Sequence, residues 1–334
     1  MEVTSGADAL RAAGPGERWV VRVRQPDGSA SDVVGWLAEV DRAAGEVVLD
    51  GPLDPGLPHS DAPTWRVRLE DVVVARRAPV ARGGPDVRRT PPAELEHLAV
   101  EAWAIELEPL GDWVLRSAAG FTGRANSCLA VGDPGMAVAE AAAAVEAYAG
   151  AHGIAPLAQV VTGSAEDAAL SGVGWAETYV ATDVLATRLA GLLGERSADS
   201  PGAPRVVVAE ELTPGWRAAF DAYRPSDADP ALVTRLLDGR RPRAFARVEV
   251  DGQVVAIARG HLSAGWLGVA GVWVDPEHRR QGLGTAVVLA LGRWAARRGA
   301  RWCYLQVETA NVPAHAAYAA LGFVHHHRYH YLAP

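Results

Sequence analysis

The stretch from Ala270 to Arg298 constrains the fold of this chain more than any other part of its sequence. An apolar strand, Ala270-Gly271-Val272-Trp273-Val274, stops at Asp275-Pro276. A loop with two arginines and two glycines follows, and then an alanine- and leucine-rich helix that ends before Gly299. Glycines at a strand-to-helix turn let backbone N–H groups approach an anion, and the helix N-terminus adds its positive dipole. The stretch therefore predicts an α/β unit whose loop binds a pyrophosphate.

The spacing of the glycines decides between types of phosphate-binding loop. A dinucleotide-binding fingerprint would place Gly or Ala at position 287, where Val287 stands. A Walker loop requires a lysine, and all 32 basic residues of this chain are arginines. What fits is Val-x-Pro followed by Arg-x-x-Gly-x-Gly, formed by Val274, Pro276, Arg279, Gly282 and Gly284.

A second motif follows near the C-terminus, with Asn311, Ala314, Tyr318 and Gly322-Phe323 in the order Asn-x-x-Ala-x-x-x-Tyr-x-x-x-Gly-Phe. Together the two motifs resemble the GNAT (GCN5-related) N-acetyltransferases. The family usually has leucine before the tyrosine, so Ala317 departs from its pattern. The resemblance covers most of residues 205–331. It implies an acetyltransferase that uses acetyl-CoA as cosubstrate and no metal.

The resemblance also implies roles for single residues. Asn311 would bind the pantetheine arm of acetyl-CoA, and Tyr318 would protonate the departing thiolate. Backbone N–H groups of the strand would polarise the thioester carbonyl. The implied cofactor-binding residues are Val272, Trp273, Val274, Arg279, Arg280, Gln281, Gly282, Leu283, Gly284, Thr285, Asn311 and Tyr318.

The general base is the open question of this site. Some family members carry a glutamate twelve residues before the tyrosine, and here that position is Gln306, whose amide cannot accept a proton. Glu308 lies two residues on, hence on the same face of the strand, and is the candidate base. A water chain held by Gln306 is the alternative. The same departure leaves two functions open: an enzyme that acetylates a primary amine, or a non-catalytic acyl-CoA sensor or adaptor with a GNAT fold.

The rest of the chain divides into an all-β part and an α/β part. Short alternating runs between residues 17 and 77 predict a small SH3-like β-barrel. A β-α-α-β-β-β-α-β-α-β succession follows Pro204, with a hairpin turn at Asp251-Gly252. The expected class is α+β, and the layout resembles a two-lobed bacterial GNAT group with an SH3-like N-terminal domain. The expected domains are an SH3-like barrel (1–80), a linker (81–92), a degenerate GNAT-like lobe (93–200) and the catalytic GNAT domain (201–334).

An internal repeat supports the two lobes. Ala169–Trp175 aligns with Ala317–Phe323 at an offset of 148 residues, with Leu170 at the position of Tyr318. In the first lobe, the segment from Gly120 to Ser127 is similar to one found in the two-lobed group. It would place Arg124 and Asn126 against the acceptor, unless it is a loop packed between the lobes.

Composition bounds the remaining possibilities. The net charge of −8 argues against a nucleic-acid binder and favours a cationic amine as acceptor. No apolar run reaches the roughly 20 residues that span a bilayer, so we expect a cytoplasmic protein without a membrane partner. Alternate histidines of His325–His330 would face opposite sides of a strand, so no metal site is expected there. A homodimer is compatible with the sequence.

Overall fold

A computed structural model describes residues 6–13, 18–51, 63–78, 87–103, 105–194 and 204–334. Its N-terminal part is a five-stranded antiparallel sheet in the order β4-β3-β2-β1-β5, in which apolar residues of alternating positions face one core. A short helix, α1, covers that core through Leu10. The elements are α1 (Gly6–Ala12), β1 (Arg18–Arg24), β2 (Ala30–Asp41), β3 (Glu46–Asp50), β4 (Thr64–Arg68) and β5 (Val72–Arg77).

The strands predicted from alternation are present, but the closed barrel is not. β5 pairs with β1, and within the described residues no pairing joins β4 to β5. The 3-10 turn Leu69–Asp71 joins the two edge strands directly, so the sheet must curl enough to bring its edges within the reach of three residues. The described residues thus form a five-stranded sheet, and the SH3-like barrel stays a prediction.

The second part of the chain mixes helices and strands. Its first helix, α2, begins at Pro92, a position where the missing N–H of proline costs no helical hydrogen bond. An alanine-rich helix, α3, begins at Val138 and ends before Gly153, which has a left-handed conformation. The elements are α2 (Pro92–Val100), β6 (Glu106–Leu110), β7 (Trp113–Ser117), β8 (Cys128–Leu129), α3 (Val138–His152), β9 (Ala158–Val161), α4 (Ala165–Gly172), β10 (Ala176–Arg188) and α5 (Leu189–Leu193).

The C-terminal part follows the predicted succession. Asp251 and Gly252, both with positive φ (50° and 79°), form the expected tight turn between β12 and β13. The elements are β11 (Val206–Ala209), α6 (Pro214–Tyr223), α7 (Pro230–Asp238), β12 (Arg243–Val250), β13 (Gln253–Ser263), β14 (Trp266–Val274), α8 (Leu283–Arg297), β15 (Trp302–Glu308), α9 (Val312–Ala320) and β16 (Val324–Ala333).

One continuous eleven-stranded sheet joins the second and third parts. Its order is β11-β12-β13-β14-β15-β10-β16-β9-β8-β7-β6. β10 thus lies between β15 and β16, and β16 pairs with β9. The two predicted lobes exchange strands, so the sheet itself has no break at residue 200, and the domain boundaries stay a prediction.

The two faces of the C-terminal half of the sheet are covered by different helices. α8 packs on one face against small residues such as Ala244 and Ala246. α6 and α7 cover the other face, where Trp216 and Phe220 surround Phe245. Because neighbouring residues of β12 enter different cores, the sheet is buried on both sides there.

Candidate functional site

The site begins where β14 and β15 separate. The two strands pair in parallel from Trp266 with Trp302 to Val269 with Leu305, and within the described chain no pairing follows. β14 bends away from β15 at two irregularities. One is a register shift in its pairing with β13 opposite Ala270, and the other is a positive φ of 60° at Gly271. The strand backbone of residues 270–274 therefore faces a gap on its β15 side, as the predicted role of Val272, Trp273 and Val274 requires.

The loop after β14 has the geometry of an anion-binding turn. Asp275 starts it by accepting a hydrogen bond from the N–H of Glu277 (2.9 Å), and the Nε of Arg279 donates to the carbonyl of Val274 (3.2 Å). Gly282, with φ of 77°, is the last residue before α8. The first-turn N–H groups, at Leu283, Gly284 and Thr285, have no acceptor within the helix. The side chains of Arg279, Arg280 and Gln281 are exposed around these donors.

Asn311 lies at the start of α9, on the exposed surface. Its Oδ1 accepts a hydrogen bond from the N–H of Ala314 (3.2 Å), so the side chain caps the helix. The structure therefore gives Asn311 a local role, and its contact with a pantetheine arm stays a prediction.

Tyr318 lies partly buried on α9 and packs against the core that α8 covers. Its ring meets Phe323 nearly edge-on, with centroids 5.7 Å apart. Burial raises the pKa of the phenol, and the neighbouring Tyr223 raises it further. The hydroxyl therefore keeps its proton well above neutral pH, which is what a proton donor needs.

Gln306 and Glu308 lie near the C-terminal end of β15. They share a side with Tyr304, since the side-chain period of a strand is two. Glu308 is exposed and lines a cavity, while Gln306 is partly buried and does not line it.

This cavity has a volume of about 460 Å³ and lies between the two predicted lobes. Its wall combines three charged side chains with several aromatic ones. It is lined by Gly120, Phe121, Thr122, Gly123, Arg124, Asn126, Ile154, Ala155, Leu157, Tyr179, Val180, Thr182, Arg224, Glu308, Tyr329 and Tyr331. The structure thus brings Arg124 and Asn126 together with Glu308, although 182 residues separate Asn126 from Glu308 in the sequence.

Asn126 shapes the loop that presents Arg124. Its Oδ1 accepts from the N–H groups of Ala118 (2.7 Å) and Gly120 (2.8 Å), and its Nδ2 donates to the carbonyl of Thr122 (2.8 Å). These three bonds engage the side-chain amide with its own loop, and the contact of Asn126 with a substrate stays a prediction. Arg124 in turn donates from Nε to the hydroxyl of Tyr329 (2.8 Å).

A network of buried hydrogen bonds holds this loop in place. Arg116 donates to the carbonyl (2.9 Å) and the hydroxyl (2.7 Å) of Ser127 and to Oε1 of Gln159 (2.9 Å). Gln159 donates to Glu96 (2.5 Å), which also lies 2.8 Å from Nε2 of His327. A fully partnered network of this kind restricts the loop to one arrangement.

Tyr179 belongs to the cavity and was not predicted. β10 pairs Thr178 with Tyr331 and Thr182 with Tyr329, so residues 179–181 bulge opposite a single residue of β16. Tyr179 has a positive φ of 62°, its ring lies edge-on to that of Tyr331 at 6.0 Å, and it is 67% exposed. No local sequence signal marks a non-glycine residue in this conformation.

The histidines of β16 contact partners from several different elements. His325 lies 3.2 Å from Oδ1 of Asp183, and His330 contacts Thr162 (2.9 Å) and Asp167 (3.2 Å). Over the residues that the structure describes, no group of three or more His, Cys, Asp and Glu could hold a metal ion. Over the same residues, no helix is long and apolar enough to cross a bilayer.

The arrangement of helices and strands around this site is that of a GNAT-like fold. Two solved structures share the fold over most of the chain. One is a GCN5-related N-acetyltransferase from Kribbella flavida, with a TM-score of 0.51 and 19% identity, covering 72% of this chain and 94% of that one. The other is a conserved protein of unknown function from Staphylococcus epidermidis, with a TM-score of 0.51 and 11% identity, covering 71% and 98%.

The family model described as "Probable histone acetyltransferase Rv0428c C-terminal" matches residues 92–332, and the chain belongs to this family. Streptothricin acetyltransferase of Streptomyces lavendulae is 34% identical over 118 residues, which are 30% of this chain and 62% of that protein. The uncharacterized N-acetyltransferase YobR of Bacillus subtilis is 30% identical over 89 residues, or 27% of this chain and 36% of that protein. The chain thus spans less than two thirds of the length of either relative.

Proposed function

We propose that the protein is an acetyl-CoA-dependent N-acetyltransferase that acetylates a primary amine. The observation that carries the proposal is the gap between β14 and β15. The turn before α8 lies at the end of β14, and Glu308 at the end of β15 lines the cavity. The residues fit acetyl-CoA. Gly282 and Gly284 leave the backbone donors uncovered, and Arg279 and Arg280 supply charge for phosphates.

Each group then has a role that its environment supports. Acetyl-CoA supplies the acetyl group as a thioester. The turn at α8 would hold the pyrophosphate, and the free backbone of residues 272–274 would orient the carbonyl. Glu308, at the cavity wall, would accept a proton from the acceptor amine. Tyr318, whose pKa is raised by burial, holds a proton at its hydroxyl for the leaving thiolate.

A second function is supported by one observation, the amide of Gln306 in place of a carboxylate. A chain that has kept the cofactor site without turnover would be an acyl-CoA sensor or adaptor. The exposure of the Glu308 carboxylate to the cavity favours the enzyme, because it supplies the base that Gln306 cannot.

Release of free CoA from acetyl-CoA in the presence of an amine panel separates the two functions. A thiol reagent can report it without interference from the protein, because Cys128 and Cys303 are both buried. Burial raises the pKa of Cys128 to about 12 and also raises that of Cys303. An enzyme gives amine-dependent CoA release. A sensor binds acetyl-CoA and gives none.

We further predict one acetyl-CoA per chain. In the first lobe the turn before α3 has its N–H groups occupied by carboxylates: Gly132 donates to Glu166 (2.9 Å), Asp133 to Asp112 (3.0 Å), and Gly135 to the side chain of Asp133 (2.8 Å). These acidic groups take the donors that a phosphate would need and repel it. Calorimetric titration with acetyl-CoA should saturate at one equivalent, and saturation at two would contradict this.

A further inference from the structure

The charged side chains that line the cavity indicate which kind of acceptor it can bind. An inference about the acceptor rests on the proposed function. The cavity wall contains one carboxylate, Glu308, and two guanidinium groups, Arg124 and Arg224. None of the three forms an ion pair with a charged side chain of the described residues. A cavity of this size is of the order that holds a small molecule.

The two arginines come from different parts of the fold. Arg124 is presented by the loop that Asn126 and Arg116 hold in place, and its Nε is used by Tyr329 while its terminal nitrogens donate to no described acceptor. Arg224 is exposed and follows the last residue of α6. Both side chains line one cavity, and the planar fork of a guanidinium matches a carboxylate.

We infer that the acceptor carries a carboxylate besides its amine, so that the cavity takes an amino acid or a similar zwitterion. The amine would lie toward Glu308 and the carboxylate toward Arg124 and Arg224. Phe121, Tyr179 and Tyr331 supply apolar ring surface for a side chain between these ends. This replaces the cationic acceptor expected from the net charge of −8, because charges at contact distance act on a ligand far more strongly than the screened charge of the whole surface.

Matched acceptors test the inference. Phenylalanine, leucine and glutamate are each offered as the free amino acid and as its α-amide, with spermidine as a purely cationic amine, and kcat/KM is measured by CoA release. The free acids should exceed their amides by at least about tenfold, the discrimination that one charge-assisted hydrogen bond provides. Preference for the amides or for spermidine would overturn the inference and leave the acetyltransferase standing.

Two variants test whether the arginines cause the preference for free amino acids over their amides. In Arg224→Gln and Arg124→Gln the ratio of acid to amide should fall toward one. Glutamine is used because lysine would introduce a side-chain amine into a chain that has none. The matched control is Arg301→Gln, an exposed arginine at the opposite end of β15, which should keep the wild-type ratio. An unchanged ratio in both cavity variants would overturn the assignment.

Failure of the proposed function is distinguishable from failure of the inference. If no amine releases CoA, the transferase proposal is wrong, and calorimetry with CoA present decides the inference separately. Phenylalanine should then bind at least about tenfold more tightly than phenylalaninamide, and Arg224→Gln should remove that difference. Equal affinity of the two ligands for the wild-type protein would contradict it.

Discussion

Tyr318 is the residue for which environment and proposed role agree most closely. Burial keeps its hydroxyl protonated, and its interaction matters chiefly when negative charge develops on sulfur. In Tyr318→Phe we expect acetyl-CoA affinity near wild type and kcat lower by about 10²–10⁴-fold. The matched control is Tyr148→Phe, whose ring stacks on His152 in the first lobe. Wild-type turnover in Tyr318→Phe would remove the residue from the mechanism.

His261 makes stability depend on pH. It is 2% exposed, and a carboxylate oxygen of Glu101 lies 3.8 Å from its Nε2, beyond hydrogen-bond distance. Burial, and then the charge of Arg259, lower the pKa of His261 to about 4. The unfolded chain binds this proton near pH 6.5 and the folded chain does not, so the contribution is complete above pH 6.5 and is lost as pH falls toward 4.

Urea unfolding at pH 7.5 and pH 4.5 measures this effect. Between pH 7.5 and pH 4.5, the free energy of unfolding should fall by on the order of 3 kcal/mol more in the wild type than in His261→Leu. The variant has no group to protonate at this position. His152→Gln, at an exposed histidine, should follow the wild type. Equal slopes for wild type and His261→Leu would show that His261 is protonated in the folded state.

Single residues also show where sequence reasoning stops. Arg124 and Asn126 were both predicted to face an acceptor, and both line the cavity, but the amide of Asn126 bonds to its own loop. A sequence shows that a polar side chain is near a site and not which backbone groups compete for its hydrogen bonds.

At the scale of elements, the turn before α8 offers a sharp test of cofactor binding. A Cβ at Gly284 would lie 3.5 Å from a methyl of Val274, an ordinary contact, so substitutions there need not disturb the fold. Gly284→Glu places a carboxylate at the first turn of the helix and should weaken acetyl-CoA binding at least about 100-fold in calorimetry. The control Gly284→Ala adds only the Cβ and should keep binding within a few fold. Unchanged affinity in a folded Gly284→Glu protein would place the pyrophosphate elsewhere.

The element succession of the C-terminal part could be predicted because each signal is local. Period-two alternation, the Asp251-Gly252 turn and glycine-rich helix starts lie within a few residues of the structures they specify. Closure of the N-terminal sheet and the bulge at Tyr179 depend instead on pairing between distant strands. Local patterns do not carry that information, so the bulge was missed and the closure of the sheet stays a prediction.

At the scale of the whole molecule, the repeat in the sequence indicates two similar units but does not specify how their strands pair. β9-α4-β10 and β15-α9-β16 are the same strand-helix-strand unit, as the alignment of residues 169–175 with 317–323 indicated. Equivalent strands can pair within a lobe or across lobes with the same local sequence. Here they pair across, since β10 lies between β15 and β16.

This exchange predicts that the C-terminal lobe does not fold by itself. β15 pairs with β10 along Thr182–Arg188, and β16 pairs with β10 and β9, so residues 201–334 alone would expose the edges of both strands. Open strand edges favour aggregation, and Cys303, Leu305 and Val307 would lose part of their cover. We expect the fragment 201–334 to be insoluble or to lack a cooperative unfolding transition, whereas 87–334 should unfold cooperatively and bind acetyl-CoA.

The control is Leu185→Ala in the longer fragment, which keeps the exchanged strand and should lower stability by about 2–5 kcal/mol without abolishing the transition. A monomeric fragment 201–334 that unfolds with the stability of 87–334 would show that the two lobes are independent.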